Sequence, residues 1–179
     1  MEKSLKCENI FNGNIIKVER HRVELQDGSE SYREVVRHKG AVAVVPVFED
    51  KVVLVKQFRF PVNEELLEIP AGKLEEGEDP YDCAIRELKE ETGFVAQEIQ
   101  KIGELYTSPG FSDEKIHIFL ARVVPYGEPE PDFGEFIEKV ELPFQDIVKL
   151  IISGKILDGK TVAGILLSEK YLSGGEEND

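Results

Sequence analysis

The segment Gly40–Phe60, GAVAVVPVFEDKVVLVKQFRF, does most to limit the folds open to this chain. Two apolar runs, rich in β-branched residues, meet at Glu49-Asp50, and each has the length of a buried strand rather than of a helix. Ahead of them, IIKVERHRVEL and SYREVVRH flank QDGSE, where Asp27-Gly28 is a strong turn signal between alternating apolar positions, so the spacing predicts a hairpin. Behind them come a turn around Pro61 to Glu64, the strand-like LLEIPAG, and two further strands, VAQEIQKIGELYTS and EKIHIFLARVVP, around the loop Ser108-Pro109-Gly110-Phe111. YGEPEPDFGEF is rich in Pro, Gly and acid and reads as a loop. IEKVELP is a short strand, FQDIVKLIISGK and DGKTVAGILLSEKYL are amphipathic helices, and SGGEEND reads as a disordered tail. Strands, a helix, more strands and a terminal helix pair imply an α/β or α+β fold with a mixed sheet, with the strand order left open.

The helix in the middle of this series is sharply bounded. Asp79 is a good N-cap, Pro80 suits the first helical position, and Gly93 supplies a left-handed stop, which leaves about thirteen residues between them. Ala84, Ile85 and Leu88 recur at helical spacing and are expected to face a core. Glu87 and Glu91, four apart, share another face, and Glu90 joins them. Like charges so placed cost roughly 0.2–0.5 kcal/mol per pair. Arg86 can offset Glu90 one turn on, whereas the sequence offers Glu87 and Glu91 no such partner. A solvated acidic face is one reading; a site for a hard divalent cation, which prefers carboxylate and carbonyl oxygen, is the other.

Composition narrows the partners. With 179 residues and 41% hydrophobic content the chain can bury one sizeable core. A formal net charge of −14 argues against nucleic acid or an anionic membrane as a partner. It also means that an anionic substrate needs bridging cations. The two cysteines, Cys7 and Cys83, form no CxxC or Cys/His spacing that suggests zinc, and Cys83 reads as a packing residue within the helix. His21, His38 and His117 are scattered and assemble no nucleophilic triad. No run of eighteen apolar residues and no leader-like apolar stretch occurs, so a cytoplasmic location is the default expectation.

From Gly72, five residues lead to Glu78, seven more to Arg86, and then Glu87-Leu88-Lys89-Glu90-Glu91-Thr92-Gly93-Phe94 follow. This resembles the Nudix box, G-x5-E-x7-R-E-U-x-E-E-x-G-U with U apolar, and every fixed position is filled. The resemblance implies an α/β/α sandwich with a mixed β-sheet at residues 39–172, a small N-terminal β appendage at 1–38 that packs across a homodimer, and a tail at 173–179. It implies Mg²⁺, with Mn²⁺ or another divalent cation possible, bound by Glu87, Glu90, Glu91 and the Ala71 carbonyl, with Arg86 orienting the acids and Glu78 structural. Glu90 and Glu91 are then also catalytic through the water they position.

Pro109, sixteen residues after Gly93 within TSPGFSDE, together with YREVVRHKGAVAVVPV, VKQFRFP and LLEIPAG, looks like the ADP-ribose pyrophosphatase subfamily, and this likeness covers most of residues 11–170. It implies hydrolysis of ADP-ribose or a related nucleoside diphosphate sugar. The carried-over substrate contacts are Arg33 and Glu34 for the nucleoside, Arg59 and Lys73 for the pyrophosphate, Ser108, Pro109 and Gly110 as a rigid loop, and Glu114 for ribose hydroxyls. A general base is expected from PDFGEFIEKVE, with Glu135 the first choice, also as a metal ligand, and Glu138 the second; Phe133 and Gly134 interrupt the denser acidic run that the resemblance implies. The alternatives are a pyrophosphatase for another nucleotide sugar and a non-catalytic nucleotide-binding domain.

Overall fold

The computed structural model describes residues 1–131, 134 and 136–173. The first strand, β1 (Lys3–Asn12), is absent from the sequence reading, because no apolar alternation marks it. It is recruited by pairing: β1 runs antiparallel to β2 (Lys17–Glu24), which pairs in turn with β3 (Glu30–Arg37). The expected turn joins β2 to β3, with Gly28 at a φ of 82°. In this three-stranded sheet Val23 is buried, whereas most of its other residues are half-buried or exposed.

A second, seven-stranded sheet follows. The two apolar runs form β4 (Ala41–Phe48) and β5 (Lys51–Arg59), and LLEIPAG breaks at Ile69-Pro70 into β6 (Glu64–Glu68) and β7 (Ala71–Lys73). After the helix α1 (Pro80–Thr92) come β8 (Phe94–Tyr106), β9 (Lys115–Pro125), β10 (Ile137–Pro143), α2 (Phe144–Ile152) and α3 (Gly159–Ser173). The strand order is β10-β5-β4-β9-β8, with β6 on β5 and β7 on β4. The β4–β9 pair is parallel and the others antiparallel, so the sheet is mixed as expected.

Strand alternation divides the core in two. Val42, Val44, Val53, Phe119, Ala121 and Val123 meet Cys83, Ala84 and Leu88 of α1. Ala43, Val45, Val52, Leu54, Ile118 and Leu120 meet Ile147 of α2 and Ile165 of α3. The result is an α/β/α sandwich. One expectation within α1 fails: Ile85 is 37% exposed, because the buried arc runs through Cys83, Ala84, Leu88, Glu91 and Thr92 and leaves Ile85 beyond its edge.

Two local anchors position the cleft. The Ile69 N–H donates to Thr161 Oγ1 (2.9 Å), fixing the start of α3 beside the β6–β7 break. The loop after Tyr106 is tied to the N-terminal sheet, since Val36 N–H donates to the Phe111 carbonyl (2.7 Å) and Arg37 bonds Asp113 (3.0 Å).

Candidate active site

The helix α1 has the boundaries that its sequence dictates. Asp79 accepts from the Tyr81 N–H (2.8 Å), and Gly93 closes the last turn at a φ of 72°, its N–H donating to the Lys89 carbonyl (2.9 Å). Any side chain at Gly93 would also collide with the Gly127 carbonyl, 2.2 Å from an ideal Cβ. That closeness lets Gly127 N–H and Tyr126 N–H donate to the Gly93 carbonyl, while Glu130 N–H donates to that of Glu90 (2.8 Å). The acidic loop before β10 is therefore sewn to the C-terminal end of α1.

The acids of α1 gather around Arg86. Its Nε and Nη2 donate to Glu78 (3.0 and 3.1 Å), and its Nη1 donates to Glu87 (2.7 Å) and Glu90 (3.0 Å). The expectation that Glu87 lacks a partner is thus corrected: the adjacent, long arginine turns back to reach it. Glu91 is corrected too, since Ala71 N–H donates to its Oε2 (3.0 Å), and at 4% exposure it lies between helix and sheet rather than on a wet face. Arg86 holds the Glu78 carboxyl down to about 2, helped by the Glu75 N–H, and the same carboxylate raises the Arg86 guanidinium above its ordinary value. Cys83 is fully buried and its thiol is pushed up to about 12, first by that burial and then by Glu78, which leaves it a neutral packing group.

Gly72 is the complementary half of this arrangement. A Cβ there would stand 1.8 Å from Glu87 Cδ and 1.9 Å from its Oε1. Strand β7 therefore presses its bare backbone against the carboxylate, a cradle that any side chain would fill. Glu87 against this backbone, Glu90 held with it by Arg86, and Glu91 bonded to the Ala71 N–H offer oxygen donors of the kind a hard divalent cation prefers.

Glu87 and Glu91 line a cleft of about 1260 Å³ together with Ala71, Gly72, Lys73 and Arg86, and Arg59, Glu68 and Lys160 form another part of its lining, whereas Glu90 is not among the lining residues. Arg59 does not stand open to a phosphate with its whole fork. Its Nε and Nη2 both donate to Glu68 (2.7 Å each), which is 1% exposed and also accepts from Lys160. Burial pushes the Glu68 carboxyl up, and the bonds to Arg59 and Lys160 more than reverse that and leave it lowered. Sequence reasoning missed Glu68 and Lys160. The available signal was a lone acid within the apolar stretch LLEIP.

Glu114 lines the cleft and accepts from Thr107 Oγ1 (2.7 Å). Ser108, Pro109 and Gly110 lie beyond the cleft lining, with Pro109 and Gly110 exposed. Arg33 and Glu34 stand on β3, also beyond that lining, where Arg33 forks onto Glu2 (3.0 and 2.5 Å). Glu138 is on β10, 69% exposed and 3.7 Å from Lys56. Glu135 lies outside the described residues, as do residues 174–179 of the expected tail, whose first residue, Ser173, instead ends α3. Away from the cleft, β1–β2 pairing brings Cys7, Glu19 and His21 together, a convergence that linear spacing conceals.

Fold and site together define a Nudix hydrolase: the NUDIX domain family matches residues 37–163, and the chain belongs to it. Among its relatives, an ADP-ribose pyrophosphatase of Bacillus subtilis (strain 168) is 47% identical over 167 residues, covering 92% of this chain and 90% of that protein. A GDP-mannose pyrophosphatase of Yersinia enterocolitica is 35% identical over 178 residues, covering 89% of this chain and 93% of its own. A crystal structure of an ADP compounds hydrolase superposes with a TM-score of 0.86, covering 99% of this chain and 97% of that one at 24% identity, which supports the fold. Among the described residues, no helix is long and apolar enough to cross a membrane.

Proposed function

We infer that this Nudix hydrolase cleaves the pyrophosphate bond of ADP-ribose, taking up one water and releasing AMP and ribose 5-phosphate. The observation that carries the chemistry is the carboxylate cluster of α1 pressed against the bare backbone of Gly72; the choice of substrate leans on the 47% identical ADP-ribose pyrophosphatase. Glu87, Glu90, Glu91 and the Ala71 carbonyl would hold divalent cations, Mg²⁺ before Mn²⁺, which when bound offset the diphosphate charge and lower the pKa of water.

The chain's own residues do the remainder. Arg86 fixes the positions of Glu87 and Glu90, and the Ala71 N–H fixes that of Glu91. Arg59, anchored through Nε and Nη2, offers Nη1 to a phosphate oxygen, with Lys73 beside it in the cleft lining and Glu114 set to accept from ribose hydroxyls. Glu135 takes the proton of the attacking water, with Glu138 the second candidate, a role worth roughly 10²–10⁴-fold. Held in place before reaction, the cationic groups favour the charge that develops on phosphoryl oxygens.

A cytoplasmic homodimer completes this reading. Ile10 and Phe11 on the thin N-terminal sheet, Ile15 in its first turn, and Phe58, Phe60 and Phe111 beyond it are exposed apolar side chains. An N-terminal sheet that reaches the partner's cleft would deliver Arg33 and Glu34, and the loop Ser108-Pro109-Gly110 would travel with it through the Val36–Phe111 bond. The 35% identical GDP-mannose pyrophosphatase favours a second reading, hydrolysis of another nucleoside diphosphate sugar.

The test is product analysis with ADP-ribose, GDP-mannose and other nucleotide sugars in Mg²⁺. The expected result is the highest kcat/KM for ADP-ribose with AMP and ribose 5-phosphate as products. Faster cleavage of another sugar nucleotide would transfer the conclusion to the second reading, and binding without turnover of any would make the chain a recognition domain.

A further inference from the structure

Among the described residues, one group outside the cleft brings sulfur, nitrogen and oxygen ligand atoms together: those of Cys7, Glu19 and His21 lie within 4.8 Å of one another. Cys7 faces His21 across the β1–β2 ladder, and Glu19, two residues before His21, shares its side of the sheet. Cys7 Sγ (3.6 Å) and Glu19 Oε2 (2.9 Å) both approach the same ring nitrogen, Nε2. A proton on Nε2 points toward one of them, whereas a cation on that nitrogen meets both. With metal–sulfur and metal–nitrogen distances of about 2.3 and 2.0–2.1 Å, a tetrahedral angle sets S and N about 3.6 Å apart, so the Cys7–His21 spacing already fits. On the far side of the ring, Nδ1 lies 2.9 Å from Ser4 Oγ, the kind of outer hydrogen bond that fixes a metal-bound imidazole.

We propose that Cys7, His21 and Glu19 bind one divalent cation of the zinc class, with water in the fourth position. Binding displaces the thiol proton to solvent and leaves a thiolate on the metal. The S, N and O donors separate this site from the all-oxygen box, which suits harder ions. Its consequence is mechanical. The metal staples β1, an edge strand with nearly all residues exposed, to β2, and the turn between these two strands carries Asn14 and Ile15, which line the cleft. Glu19 also accepts from Arg37 (2.9 Å), which reaches Asp113 at 3.0 Å, so the staple is joined to the loop after β8.

The test is a Co²⁺ titration of the full chain. A thiolate-to-cobalt charge-transfer band should saturate at one equivalent per chain, disappear on Zn²⁺ addition, and persist in Glu91→Gln and Cys83→Ser. It should be lost in Cys7→Ser and in His21→Ala, each checked for a native circular-dichroism spectrum, and with the box disabled by Glu91→Gln, Zn²⁺ should raise the thermal midpoint when Cys7 is present and not when Cys7→Ser is added. The absence of the band in the wild type, or its survival in Cys7→Ser, would overturn the site.

Discussion

The two walls of the cleft handle charge in opposite ways. On the α1 wall Arg86 reaches Glu78, Glu87 and Glu90, and Glu91 is held by a backbone N–H, so acids outnumber the base that organises them. On the facing wall Glu68 is gripped by Arg59 and Lys160, and Lys160 also meets Asp158 (3.0 Å), so two cations balance two acids. Glu68 first, and then Glu91 of α1 and Asp158, raise the Arg59 guanidinium, so the second wall pairs its own charges and is also coupled to the first. On the proposed reading the α1 wall takes up a cation from outside, as a metal-binding cluster does and a buried ion-pair network does not.

The largest expected effect breaks the first wall. Glu91→Gln keeps the shape and removes a charge, and steady-state kinetics should show kcat reduced by more than about 100-fold, beyond the range for groups that merely support a ligand. Gly72→Ala leaves every acid in place but inserts a Cβ where the Glu87 carboxylate stands, 1.8 Å from its Cδ. It should lower activity by about 10–100-fold and raise the Mg²⁺ concentration needed for half-maximal rate. If Gly72→Ala were silent, the cradle would have no part in cation binding.

The second wall should respond in stability before chemistry. Arg59→Ala strips Glu68 of its fork and leaves Lys160 as its cationic partner, and denaturant unfolding should show a loss of about 1.5–3 kcal/mol; KM should rise more than kcat falls. Arg59→Lys should recover part of the stability and little of the KM.

Glu78 makes the α1 wall sensitive to pH. Its folded pKa of about 2 lies below the ordinary 4.5, so the stability it contributes through Arg86 is complete above about pH 4.5 and is lost as pH falls toward 2. Glu78→Gln should flatten the fall of the thermal midpoint across that window. The smallest effect belongs to Glu138, which is 69% exposed and 3.7 Å from Lys56. Glu138→Gln should alter stability by less than about 0.5 kcal/mol and leave kcat within a few-fold, whereas a general base there would cost roughly 10²–10⁴-fold.

How legible each wall is in the sequence follows from the length of chain its contacts span. The α1 wall is local: Asp79, Pro80 and Gly93 fix the helix, and less than two turns of it carry Arg86, Glu87, Glu90 and Glu91. The bond from Arg86 to Glu87 escapes a spacing argument because it depends on a long side chain folding back on its neighbour. The facing wall joins Arg59 and Glu68 to Lys160, 92 residues beyond Glu68, and such pairings exist only once α3 has packed on the sheet. Hence Arg59 reads as a phosphate ligand in sequence, while the structure first gives it to Glu68. The same reason hides β1, whose residues carry no alternation and become a strand by pairing with β2. The apolar runs of β4 and β5 and the turn at Gly28 needed no such context.

The most direct test of the asymmetry between the walls is cleavage of ADP-ribose by the wild type and Glu91→Gln across a Mg²⁺ titration, with AMP and ribose 5-phosphate quantified by chromatography. Turnover should vanish after chelation, Mg²⁺ should activate the wild type saturably, and Glu91→Gln should not recover at any Mg²⁺ concentration that saturates the wild type. Turnover that survives chelation, or a Glu91→Gln enzyme as fast as the wild type, would contradict the proposed cation site on α1.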